Sequence, residues 1–294
     1  MGDMVGARER IEQDLTELSE VISALNLEFR STYEGYLTAL GQAVRQQLIL
    51  ACYHLCTQAV PESFLKLSFD GRQKMQQSIR LLATASQEKL RSLVTEEDEE
   101  EDEEIGEDEE IGEDEEIEVE SEFPVINYQL QATNYQLPIT NYPASLARWQ
   151  DSIEREIAHI IKLLSRDTNR LLQQSRILPP QLPEPVLEAA SKAESSGESV
   201  AGPPNLLKLI IETDDSSESD SMAETTATTA IQITAIKLRL SEIEFADAHT
   251  SAWRQQIRNL SVRLNSIGRD YQKKQRELAV VEAESAWRSS WFED

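Results

Sequence analysis

The chain has 294 residues and a formal charge of −26, from 54 acidic against 28 basic side chains. Ten glycines and ten prolines are too few for the many tight connections of a β-rich or α/β fold, and two cysteines do not make a disulfide framework. No run approaches 18 apolar residues and the N-terminus lacks the apolar core of a signal peptide, so no membrane span and a cytoplasmic location are expected.

The first predicted helix runs from about Ala7 to Ala59. Ile11, Leu15, Leu18, Ile22, Leu25 and Phe29 alternate spacings of four and three, the 3.5-residue period of a coiled-coil seam. Beyond Tyr36 the apolar face widens through Leu40, Val44, Leu48, Cys52 and Leu55, which suits packing against more than one neighbour. Pro61 ends this helix because its ring disfavours helical geometry at Val60. A second helix is expected over 69–94, with Ser68 as N-cap and an inner face of Met75, Ile79, Leu82, Ser86, Leu90 and Leu93. Together these make an N-terminal helical unit over 7–94.

An insert separates it from the third helix. From Glu96 to Glu122 there are 20 acidic side chains and no basic one; without them 34 acids face 28 bases, a charge of only −6. Mutual repulsion and the lack of apolar surface predict disorder for this run. The phrase "NYQLQATNYQLPITNY" completes the insert, 95–142. Calcium binding needs the alternating ligands and central glycine of a D-x-[DN]-x-[DN]-G loop, which "GEDEEIGEDEEI" lacks. The insert reads chiefly as a solvated loop, since lengthening a loop costs only about 0.6 kcal/mol per doubling. A second reading gives it a partner inside the chain, because seven bases stand against one acid between Arg254 and Arg276.

The third helix is expected over 143–178, from Pro143 at its first turn to the stop at Pro179 and Pro180. Its stripe reads Leu146, Trp149, Ile153, Ile157, Ile160, Leu164 and Leu171. Residues 179–229 read as a flexible linker holding one apolar island, "NLLKLIIE" at 205–212. The fourth helix is the longest, over 230–291. With Ile236 at position a, Ile243, Thr250, Ile257, Leu264, Tyr271, Leu278 and Ser285 follow in register, and Ala246, Trp253, Leu260, Ile267 and Val281 occupy d, with Arg239, Lys274 and Arg288 as departures.

Charge suggests which helices pair. Six acids and one base lie between Glu9 and Glu28, opposite in sign to the basic stretch 254–276, so antiparallel first and last helices place acid beside base. The fold class is therefore all-α: an elongated antiparallel helical bundle with a long coiled-coil shaft and a disordered acidic insert and linker.

Chemical signatures are sparse. There is no P-loop, dinucleotide, zincin or nucleophile-elbow motif, so an enzyme is not expected, and neither is a cofactor. In "CYHLC" Cys52 and Cys56 share a helix face, but His54 points elsewhere, so they read as core residues and not as metal ligands. Candidate partner-binding residues are the C-terminal aromatics Trp287, Trp291 and Phe292, and Leu206, Leu207, Leu209, Ile210 and Ile211 of the island, as a short motif adding a strand or helix to a partner. The island as a local helix resting on the bundle, and the aromatics capping its end, are the plain alternatives. The candidate basic face is Arg254, Arg258, Arg263, Arg269, Lys273, Lys274 and Arg276. Lying within heptads, it flanks a helix partner better than it reads DNA.

The tandem Asn-Tyr-Gln-Leu phrase at 127–130 and 134–137, with "LILACYHLCTQAVPESFLKLS" at 48–68, resembles segments of uncharacterised cyanobacterial coiled-coil proteins. That resemblance names no characterised family and implies no function or site. The expected role is a non-enzymatic cytoplasmic scaffold or adaptor with an unidentified protein partner, and self-association through the C-terminal helix is an option. The alternative is a peripheral binder of nucleic acid or anionic membrane through 254–276, with nucleic acid the less favoured target.

Overall fold

The computed structural model describes residues 2–95, 142–179, 203–213 and 229–290. The acidic and Asn-Tyr insert, most of the linker and the last four residues lie outside them. Helix α1 (Gly2–His54) continues into one wide π-helical turn (Leu55–Ala59), followed by the short α2 (Pro61–Lys66) and by α3 (Phe69–Thr95). Then come α4 (Pro143–Gln174), strands β1 (Leu206–Thr213) and β2 (Thr229–Ile236), the short α5 (Leu240–Ala246) and α6 (Ala248–Ser290). Ser68 caps α3 by accepting from the Gly71 N–H at 3.1 Å, and Pro143 opens α4, as expected.

The fold is an all-α helical bundle. Helix α1 packs on α6 and α3, and α4 closes the square between α3 and α6. Across the diagonal, Tyr33 of α1 meets Trp149 of α4 edge to face, with ring centroids 5.4 Å apart. The wide apolar face after Tyr36 is buried as the sequence suggests: Tyr33, Tyr36, Leu37, Leu40, Val44 and Leu48 expose no surface.

Helices α1 and α6 run antiparallel. Ion pairs join Arg8 to Glu282 (3.4 Å), Asp14 to Lys274 (2.8 Å) and Glu28 to Arg263 (2.7 Å), one partner number falling as the other rises. This is the pairing that complementary charge implies, although the charges choose the arrangement and the seam supplies the stability. Where α1 and α6 extend past the other described helices they form a two-helix shaft. Its seam residues Ile11, Leu15, Leu18, Ile267, Leu278 and Val281 are only half-buried.

Two expectations are corrected here. The fourth helix does not span 230–291: residues 229–236 form β2, antiparallel to β1 with Leu206 opposite Ile236 and Thr213 opposite Thr229. Likewise the linker 179–229 is not wholly unstructured, because its apolar island is β1. "TAIQITAI" is rich in β-branched residues, which favour a strand, and Ile231 and Ile233 follow a two-residue period that lies outside the a and d positions counted from Ile236. Two strands alone are marginal; this ribbon is fastened at one end. Leu206, Leu207, Ile233, Ala235 and Ile236 are buried. The Asn169 side chain of α4 donates to the Ile236 carbonyl (2.8 Å) and accepts its N–H (2.9 Å), and Ser165 accepts the Leu238 N–H (3.0 Å).

The remaining helix breaks once more, at Asp247, whose extended backbone separates α5 from α6. Its carboxylate accepts the Thr250 N–H (2.8 Å) and hydroxyl (2.7 Å), capping the first turn of α6. The third helix is also shorter than expected, ending at Gln174, with Arg176 turned to a φ of 60°.

Candidate functional site

The densest polar constellation gathers on Arg254, from the first turns of α6. Its Nε donates to Glu244 of α5 at 2.6 Å, one Nη to Glu154 of α4, and the other to the Tyr36 hydroxyl of α1. The Tyr36 hydroxyl donates to Glu244 (2.6 Å) and that of Tyr33 to Glu154 (2.8 Å). The guanidinium also stacks 4.5 Å from the Tyr36 ring centre. Four elements thus meet at one cation, and the break at Asp247 turns Glu244 back toward it. Next to it, Trp253 packs against Gly35, where a Cβ would fall 2.5 Å from the indole. Gly35 is what lets α1 and α6 approach at this level.

The arginine is mostly buried, its side chain 13% exposed. Burial opposes its charge, but the hydrogen bonds to Glu154 and Glu244 and the negative charge of Glu154 more than offset this and hold it charged. Burial pushes both phenols well above the usual tyrosine range, and the neighbouring glutamates reinforce it, so Tyr33 and Tyr36 remain neutral donors. A shallow groove lined by Gln150, Glu154, Leu240, Glu244, Arg258 and Val262 opens over the cluster. The arrangement ties helices together, with each of the three guanidinium nitrogens donating to a different neighbouring residue.

This corrects the basic face. Arg254 belongs to the interior network and is not presented to solvent. Arg263 and Lys274 are committed to Glu28 and Asp14 of α1. Arg258, Arg269, Lys273 and Arg276 are exposed.

The other candidates separate too. Leu206 and Leu207 are core residues, and Leu209, Ile210 and Ile211 lie in β1 opposite Ile233, Gln232 and Ile231, so the island joins a strand of its own chain and not a local helix. Trp287 is 67% exposed near the end of α6. Trp291 and Phe292 fall outside the described residues.

At the opposite end, Cys52, Cys56, Phe64, Met75 and Ile79 line a cavity of about 200 Å³. Both cysteines are free and buried. Burial raises the Cys56 thiol to about 11 and the Cys52 thiol further, far from a reactive thiolate. Among the described residues no three His, Cys, Asp or Glu side chains come together as metal ligands would, and no helix is long and apolar enough to cross a membrane.

Residues missed in the sequence are Tyr33, Tyr36, Gly35, Glu154, Asn169 and Glu244. The available signals were a glycine inside a strong helix and polar residues Ser165, Thr168 and Asn169 on the inward stripe of α4. Compared with protein-family models, with curated proteins and with solved structures, the chain matches none.

Proposed function

We propose that the chain is a non-enzymatic cytoplasmic scaffold or adaptor that docks a protein partner at the end of its shaft. The observation that carries this reading is Trp287, 67% exposed on the last turns of α6. Tryptophan anchors interfaces because it offers a large rigid apolar area with one polar handle. Trp291 and Phe292 continue the aromatic cluster in sequence. The half-buried shaft seam supports the reading, since self-association or a partner helix would dry it further. The test compares the intact chain with one lacking 287–294 in affinity capture and sedimentation. Loss of one stoichiometric protein partner, or of self-association, is expected. Salt-sensitive recovery of nucleic acid or lipid by both forms contradicts it.

A second reading has an observation of its own. Arg258, Arg269, Lys273 and Arg276 are exposed on one helix, which suits a nucleic-acid or anionic-membrane surface. The same capture experiment separates it from the first.

A further inference from the structure

The seven bases between 254 and 276 have three different fates. Arg254 is interior, Arg263 and Lys274 reach α1, and Arg258, Arg269, Lys273 and Arg276 are exposed. Spacings of 11, 4 and 3 residues, each close to whole helical turns, set these last four in one line. The line lies opposite the seam residues Ile257, Leu260 and Leu264. Exposed Val262 (69%) and Val280 (50%) fall on it as well. The result is a basic stripe about 27 Å long with apolar points along it.

We propose that the occupant of this stripe is the chain's own acidic segment, 96–122, and that in the intact protein it keeps outside polyanions off α6. Three observations carry this. The segment holds 20 acids and no base, the densest acidic run in the chain. Its tether returns at the level of the stripe on the seam side of α6: Tyr142 meets Tyr271 with ring centroids 6.0 Å apart and Pro143 lies against Gly268, so the chain re-enters at the height of Arg269 to Lys273, about one helix diameter from that line. The residues between 122 and 142 span up to about 60 Å when extended, enough to bring any part of the segment to any part of the stripe.

Tethering selects this occupant over a second copy. An attached segment acts at an effective concentration of roughly millimolar, well above that of separate chains in dilute solution. Opposite charges within about 10 Å attract without fixed partners, so the association needs no single geometry and weakens with salt. Isoleucines at 105, 111 and 117 punctuate the acid run and supply apolar points to meet Val262 and Val280.

The experiment uses the full chain. A carbodiimide joins Lys273 to carboxylates in direct contact, and mass spectrometry on mixed light and heavy protein separates links within a chain from links between chains. Links from Lys273 to residues 96–122 within one chain are expected, lost above about 0.5 M salt. Replacing 96–122 with a neutral Gly-Ser segment of equal length is expected to raise heparin affinity about tenfold or more at low salt. Adding Arg269→Glu, Lys273→Glu and Arg276→Glu is expected to abolish that gain. Circular dichroism checks that each variant folds; the crosslinks in unaltered protein stand regardless. Absence of the Lys273 link, links only between chains, unchanged heparin affinity after neutral replacement, or a gain that survives the triple substitution would each overturn the proposal.

Discussion

The bundle body and the two-helix shaft are built from the same two helices, yet their seams end in different states. In the body, Phe29, Leu37, Leu40 and Ile257 expose 1% or less, because α3 and α4 close over the α1–α6 seam. In the shaft, Ile11, Leu15 and Leu278 stay half-buried, since two cylinders alone cannot enclose a stripe. The polar contacts divide the same way. Arg254 bonds to three elements at 13% exposure, whereas in the shaft Lys274 and Asp14 form a pair open to water at 32% and 45%. A heptad pattern therefore specifies which helices meet; how dry the seam becomes depends on how many others arrive.

That contrast can be broken at graded points. Phe29→Ala should cost about 3–5 kcal/mol by urea unfolding, against about 1 kcal/mol for Leu15→Ala, whose side chain gives up less on unfolding. Arg254→Ala should cost about 3 kcal/mol, because it leaves Glu154 and Glu244 facing each other without their cation. Arg263→Ala should change stability by at most about 0.5 kcal/mol and less at high salt. Equal losses for the two arginines would show that the body network is no stronger than a surface pair.

Gly35→Ala isolates the helix approach. Alanine in an exposed helix normally gains up to about 1 kcal/mol over glycine. Here the Trp253 indole occupies the space, and a net loss of about 1–3 kcal/mol is expected. Combining it with Trp253→Ala should remove most of that penalty beyond the loss from Trp253→Ala alone.

One further effect appears only at alkaline pH. Folded Cys56 holds its proton up to about 11, and Cys52, Tyr33 and Tyr36 hold theirs higher still, all because burial disfavours the anion. Unfolded thiols and phenols ionise from about pH 9 and 10. Their contribution is therefore fully present below about pH 9 and lost as pH rises toward 11 and beyond. Unfolding free energy should fall across that window, and Cys52→Ala with Cys56→Ala should delay the onset. A flat profile would mean the thiols are not sheltered.

Much of the fold was legible because its signals are local. The apolar period of α1, the caps at Ser68 and Pro143, and the opposite charges of α1 and α6 each lie within a few turns of chain. The strand pair was not, because Ile236 fits the heptad as well as the strand, and only Asn169, 67 residues away, meets its backbone. The Arg254 network was misread for the same reason: charge density along a helix does not show what lies across from it. Tyr36 and Glu154 are separated from Arg254 by 218 and 100 residues. Gly35 was readable in principle, as an unfavourable residue with no local reason to be there.

The account rests on α1 and α6 lying antiparallel within one chain. Arg8 meets Glu282 and Asp14 meets Lys274, which puts Ile11 opposite Leu278. A chain with Cys52 and Cys56 replaced by alanine and cysteines placed at 11 and 278 tests this most directly. Mild oxidation of dilute protein should close an intramolecular disulfide in most molecules. Disulfide-linked dimers in its place, or free thiols throughout, would contradict it.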